Sequence, residues 1–247
     1  MQRMYAVAFA LFAGISVMSC TAQSGGVPAV ENIRMAEGGH AAFVNVVNRS
    51  AKDITAFSLT IDVTFQGGRQ SHFEQAIDLL PLLISKQSLS GAATLGEGAL
   101  RPNASHEVTV SFSKDEVAQG INAKLDAAVY LDLTAYVDGN QEALSRILAL
   151  RKDSALAAQQ IADAINFAAA DSVSPDPRGV AIAQLKKLLG EVKSDGRGLE
   201  LQAAIADLQN QARRAGPNPQ AEMRDYANKK SKHADIMSLH GGIKGAN

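Results

Sequence analysis

Nine consecutive residues, Phe57-Ser58-Leu59-Thr60-Ile61-Asp62-Val63-Thr64-Phe65, alternate apolar and polar without a break. Successive side chains of an extended chain point to opposite faces, so this segment reads as a strand with one buried and one wet face. Gly67-Gly68 follows as a turn, and Gln70 to Phe73 can return as the next strand. Ala42 to Val47 reads as a strand upstream, ending at the polar turn Asn48-Arg49-Ser50-Ala51-Lys52-Asp53. Glu107 to Phe112 alternates again. So does Ala127 to Val137, with Ala127, Val129, Leu131, Leu133, Ala135 and Val137 on one face and Asp126, Tyr130, Asp132, Thr134 and Asp138 on the other. Several turn-separated strands with no long helix between them predict an antiparallel β-sandwich.

The pattern changes after Asp138-Gly139-Asn140, where Asn140 is placed to cap a helix. Gln141 to Ala170 contains no Pro or Gly and ten alanines, so its helix propensity is high. Leu144, Ile147, Leu148, Ala158, Ile161, Ile165 and Ala168 form an apolar stripe, imperfect around Arg151-Lys152-Asp153. Ser174-Pro175-Asp176-Pro177 breaks the chain. A second helix then carries Ile182, Leu185, Leu188, Leu189 and Val192. Ser194 to Gly198 reads as a turn, and a third helix follows with Leu201, Ile205, Leu208 and Ala212. Gly216-Pro217-Asn218-Pro219 precedes a weaker fourth helix with Met223, Tyr226, Ala227, Ala234 and Met237. The predicted class is α+β: an N-terminal antiparallel β-sandwich over 23–138, then a helical region of three to four helices over 139–240. A disordered tail is expected at 241–247. The join is short, and small Ala side chains allow close approach, so the first helix is expected to dock on the sandwich.

The start of the chain reads as an address. Met1-Gln2-Arg3, an apolar run from Met4 to Val17 and Met18-Ser19-Cys20-Thr21-Ala22 form a charged, an apolar and a small-residue region, the pattern of a signal peptide over 1–22. The apolar run is too short for an ordinary membrane span. Two cuts compete. Val17-Met18-Ser19-Cys20 resembles a bacterial lipobox, which makes Cys20 a candidate for lipidation. Cys20-Thr21-Ala22 has the small-x-small pattern that places the cut after Ala22. Cys20 is the sole cysteine, so no disulfide staples the mature chain. The expected location is the periplasm or outer envelope, with membrane contact only through a lipid on Cys20.

Composition narrows the function. There is no Trp and aromatics are only 5% of residues, against the ring-lined platforms that bind sugars or bases. Residues 23–138 carry 8 Lys/Arg and 13 Asp/Glu, a net of −5; residues 139–247 carry 15 and 12, a net of +3. Neither half has the basic balance of a nucleic-acid binder. No metal site, cofactor motif or catalytic residue is readable. His40, His72, His106, His233 and His240 form no H-x-x-x-H pair, and no G-x-S-x-G elbow or phosphate loop occurs. Asp115-Glu116 reads as a turn or helix start, and Lys229-Lys230-Ser231-Lys232-His233 as a solvated helix face. Asn48-Arg49-Ser50 and Asn103-Ala104-Ser105 match the glycosylation sequon but are assigned only a turn role.

One resemblance adds to this reading. Val46-Val47-Asn48-Arg49-Ser50-Ala51-Lys52-Asp53-Ile54, the strand to Phe65, Gly67-Gly68, and Leu100-Arg101-Pro102-Asn103-Ala104-Ser105 before the strand at Val108 follow an ordered pattern. That order resembles the FxLYD-like and immunoglobulin-like β-sandwich modules of bacterial envelope proteins, over about a third of the chain. The resemblance implies a binding or spacer module without chemistry. The insertion 76–100 departs from it and reads as an edge strand with a crossover loop, or as an apolar loop that meets a partner. The expected function is therefore an exported envelope binding or assembly module without catalysis, its partner an envelope protein or surface. The rival is a secreted hydrolase with a site between sandwich and helices.

Overall fold

A computed structural model describes residues 26–81, 99–171, 174–192, 195–213 and 218–242. The expected signal peptide, Cys20 and both cleavage sites lie outside these residues, as do 82–98 of the insertion and 243–247 of the tail. The strands are β1 (Ala29–Met35), β2 (Ala41–Val47), β3 (Ile54–Phe65), β4 (Gln70–Asp78), β5 (Ser105–Ser111), β6 (Ala118–Tyr130) and β7 (Ala135–Val137). The helices are α1 (Gln141–Ala170), α2 (Pro177–Glu191), α3 (Asp195–Arg213) and α4 (Pro219–His240). The class is α+β, with two antiparallel sheets ordered β1-β2-β5 and β4-β3-β6-β7, followed by four helices.

The alternation of β3 sets the core. Phe57, Leu59, Ile61, Val63 and Phe65 are buried against Val44 and Val46 of β2 and Val108 of β5, which closes two sheets into a sandwich. Gly67 and Gly68 stand at φ 87° and 82°, left-handed values that favour glycine, and carry the chain from β3 into β4. The outer face of β3 is wet only in part. Ala56 and Ser58 are fully buried there, covered by α1, while Asp62 further along is exposed. The wet face inferred from alternation is thus corrected for its first half. A strand pattern distinguishes the two faces but does not reveal a helix laid across one of them.

The segment 127–137 is not one strand. β6 ends at Tyr130, and β7 returns beside it with Ala127 opposite Val137 and Val129 opposite Ala135. The reversal has local causes. Asp132 Oδ1 accepts from Thr134 N at 3.1 Å and Thr134 Oγ1 at 2.6 Å, an Asx-type turn, and Leu133 takes φ 67°. Lys52 and Thr134, by hydrogen bonds, hold the Asp132 carboxyl down to about 2. A register shift at Ser58/Leu59 leaves Asp126 as the extra residue of β6. Leu125, Ala128 and Tyr130 therefore all reach the sandwich core, and Ala127 and Val129 face α1 instead. Alternation correctly put Ala127 and Val129 on the face opposite Tyr130, and the bulge shifts only the residues before Ala127.

The helices begin where caps are available. Asn140 Oδ1 accepts from Glu142 N and Ala143 N, Asp176 Oδ1 from Gly179 N, and Asn218 Oδ1 from Ala221 N. The turn expected at 194–198 is corrected, because α3 already starts at Asp195 and includes Gly196 and Gly198. The first two turns of α1 lay Ala143, Leu144 and Ile147 onto Ala56, Ala127 and Val129. Further along, Ile161, Ile165 and Ala168 pack with Leu185, Leu201, Leu208 and Met223 of the other helices. One long helix therefore serves both the sandwich and the helical core. Ala212, placed on the stripe of α3, is exposed.

Candidate functional site: the seam between sandwich and helices

Arg151 follows Ile147 by four residues and so lies on the same face of α1. There the apolar contact with the sheet ends and the ends of β3 and β4 begin. The side chain is fully buried. Its Nε donates to Asp78 Oδ2 at 3.0 Å, one terminal nitrogen to Asp78 Oδ1 at 3.2 Å and Thr55 Oγ1 at 2.9 Å, and the other to the His240 carbonyl at 3.0 Å. Thr55 passes its own proton to the Val129 carbonyl at 3.1 Å. A planar, forked guanidinium suits this arrangement, because it pairs a carboxylate on one edge and still has donors left over. The His240 carbonyl belongs to the last turn of α4, where unpaired carbonyls attract a cation. One side chain thus ties β3, β4, α1 and α4 together.

Three residues further along α1, Ser154 hydrogen-bonds Glu200 of α3, and its Oγ lies 3.3 Å from His233 Nε2 of α4. Burial pushes His233 down to about 4, with Lys230 adding to the effect and Asp78 opposing it. Burial raises the Glu200 carboxyl, against the pull of Ser154 and Lys230. A serine, a histidine and a carboxylate converge, yet not as a relay. In a nucleophile–base–acid triad the histidine sits between the other two. Here Ser154 occupies the middle and is buried. When Glu200 is charged, the hydroxyl proton goes to it, and His233 donates through Nε2–H. A histidine in that role cannot receive the serine proton.

Grooves open on the helical region between α1 and α4 and between α1 and α2. Gln160, Asp163, Ala164 and Phe167 of α1 and Gln184, Lys187, Leu188 and Glu191 of α2 line a groove of about 500 Å³. Arg197 of α3 closes on it, donating to Gln160 Oε1 from Nε at 3.0 Å and from a terminal nitrogen at 2.6 Å. Phe167 is 63% exposed.

The residues singled out from sequence are dispersed. His72 Nδ1 stands 2.8 Å from Asp62 Oδ1 on the exposed sheet face, which raises its pKa. His106 packs edge-on against Phe57. His40 Nδ1 lies 3.0 Å from the Glu116 carbonyl, and Glu116 itself pairs with Arg69. The basic run 229–233 divides around α4: Lys229 pairs with Asp225, Lys230 lies over Tyr226, and His233 turns inward. Asn48 is buried, donating to the carbonyls of Lys52 and Leu100 and accepting from Ser50, so its sequon amide is committed to the turn. Among the described residues no group of three His, Cys, Asp or Glu could hold a metal ion, and no helix is long and apolar enough to cross a membrane. Sequence reading missed Asp78, Thr55, Ser154 and Glu200. For Arg151 a signal existed: a cation at core spacing in an otherwise apolar stripe. Comparison of the chain with protein-family models, curated proteins and solved structures finds no match.

Proposed function

We propose that the protein is an exported cell-envelope module that binds or assembles with another envelope component and carries out no catalysis. The observation behind this reading is the groove between α1 and α2, with Phe167 exposed beside it. A large aromatic ring left in water next to a cleft with Ala164 and Leu188 is the composition of a contact surface. Asp163, Lys187 and Glu191 supply a charged rim. The sandwich then acts as spacer, in keeping with the resemblance to FxLYD-like and immunoglobulin-like envelope modules. The hydrolase rival would need Ser154 and His233, whose buried, non-relay arrangement gives it less support.

A photo-crosslinking side chain at Phe167, in cells that express the protein, is expected to give one discrete adduct that Leu188→Asp weakens. The same side chain at exposed Glu142 serves as control. An absence of adduct at 167, or an equal one at 142, overturns the reading. Export has its own test. Mass spectrometry of purified protein is expected to find the mature chain beginning at Cys20 or Gln23, and a diacylglycerol adduct on Cys20 identifies the tether. An unprocessed Met1 in cells that export their other proteins overturns the address.

A further inference from the structure

His233, Met237 and His240 are spaced four and three apart on α4 and so share one face. That face clasps the C-terminal half of α4 to α1 and the sandwich, while Met223 and Ala227 nearer its start are buried in the helical core. His233 meets Ser154, Met237 is buried with Ala155 of α1 and with Leu80 just after β4, and the His240 carbonyl accepts from Arg151. Among the described residues neither histidine forms an ion pair, and Asp78 acts on both only at a distance. Among the described residues His240 Nδ1 is buried without a hydrogen-bond partner, and His233 Nε2 faces only a hydroxyl.

We propose that α4 is an acid-released clasp: protonation of His233 and His240 unlatches it from α1 and the sandwich while the sandwich stays folded. The charge balance of the seam supports this. The groups that face these two histidines are Arg151 from α1, Asp78 from β4, Glu200 from α3 and Lys230 on α4 itself. They comprise two cations and two anions, and both oxygens of Asp78 are already held by one edge of Arg151. Two further protons leave an uncompensated positive charge in a buried place. Burial, and then Arg151 beside His240 and Lys230 beside His233, keep both rings neutral in the closed state. A released histidine returns toward its ordinary 6.5, so the open state binds protons that the closed state refuses. The closed state therefore loses ground from about pH 6.5 downward, until His233 titrates in place near 4. Glu200 works the other way, since burial favours its neutral form. Its neutralisation also removes one of the two anions near His233, leaving Asp78. The inference is independent of what the α1–α2 groove binds.

Hydrogen exchange on the full mature chain, read by mass spectrometry at pH 7.5 and 5.0 and corrected for intrinsic rates, tests it. Peptides from 219–242 are expected to lose at least tenfold in protection at pH 5.0 relative to peptides of β3 and β6. The variant with His233→Gln and His240→Gln is expected to keep the same protection at both values. Equal loss in α4 and the sandwich overturns the clasp, as does an acid-induced loss that persists in the double variant. The wild-type comparison stands even if that variant folds poorly.

Discussion

Replacing Arg151 by Leu is expected to destabilise the protein by about 3–5 kcal/mol, the usual cost of removing one partner from a buried ion pair. The cost comes from what remains. Asp78 would sit at the end of β4 with its charge unanswered, Thr55 Oγ1 would lose a donor, and the His240 carbonyl would lose its cation. Asp78→Asn alone is expected to cost a similar amount, since it strands a fully buried guanidinium. The double variant should be clearly more stable than the sum of the two losses predicts, because each substitution removes the group that the other leaves unpaired. Urea unfolding of the four proteins checks this. Strictly additive losses would mean that the pair is not coupled and that Arg151 acts through packing alone.

Ile61→Asp is expected to abolish a folded sandwich at ordinary temperature. Ile61 is fully buried between the sheets, in a cluster of Val, Leu, Ile, Phe and Ala side chains with Tyr130 at its edge, where a carboxylate finds no cation. Losing the apolar contact adds about 2 kcal/mol or more to that penalty, against a total stability of about 5–15 kcal/mol. The neighbouring Thr60→Asp is expected to cost less, about 1–2 kcal/mol, but not nothing. Thr60 Oγ1 donates to Asp126 Oδ2 at 2.6 Å, and the new carboxylate would replace that donor with a like charge. Two adjacent carboxylates repel each other, and a proton shared between them relieves the repulsion. The folded variant would then bind a proton more tightly than its unfolded chain, and the loss caused by Thr60→Asp should shrink as the pH falls through the carboxylate range. Melting temperatures at pH 7 and pH 4.5 check the order. Equal melting temperatures for the two variants would mean that the β3 register is wrong.

Local patterns in this chain determined local structure well. Unbroken alternation at 57–65 made β3, a Gly pair made the turn into β4, and a run free of Pro and Gly behind Asn140 made α1 from Gln141 to Ala170. Such signals are carried by residues within one turn or one strand of each other, so they survive in a linear reading. Strand β1 was not legible, because Glu31-Asn32-Ile33-Arg34 alternates poorly and is held as a strand by its pairing with β2. The first half of β6 was passed over although Ile121 to Asp126 alternates, because Gly120 and the small Ala123 leave it a weak apolar face without its partner β3. The bulge at Asp126 was illegible for a related reason, since an extra residue is defined only against the partner strand. The polar seam lies furthest from the sequence. Asp78, Arg151 and His240 come from three separate elements, and Ser154, Glu200 and His233 are likewise drawn from α1, α3 and α4. Apart from Arg151, which falls on the apolar stripe of α1, each alone reads as a surface residue of its own helix or strand. Only the docking of α1 along the sheet, with α4 across its middle, removes them from water and makes them depend on one another.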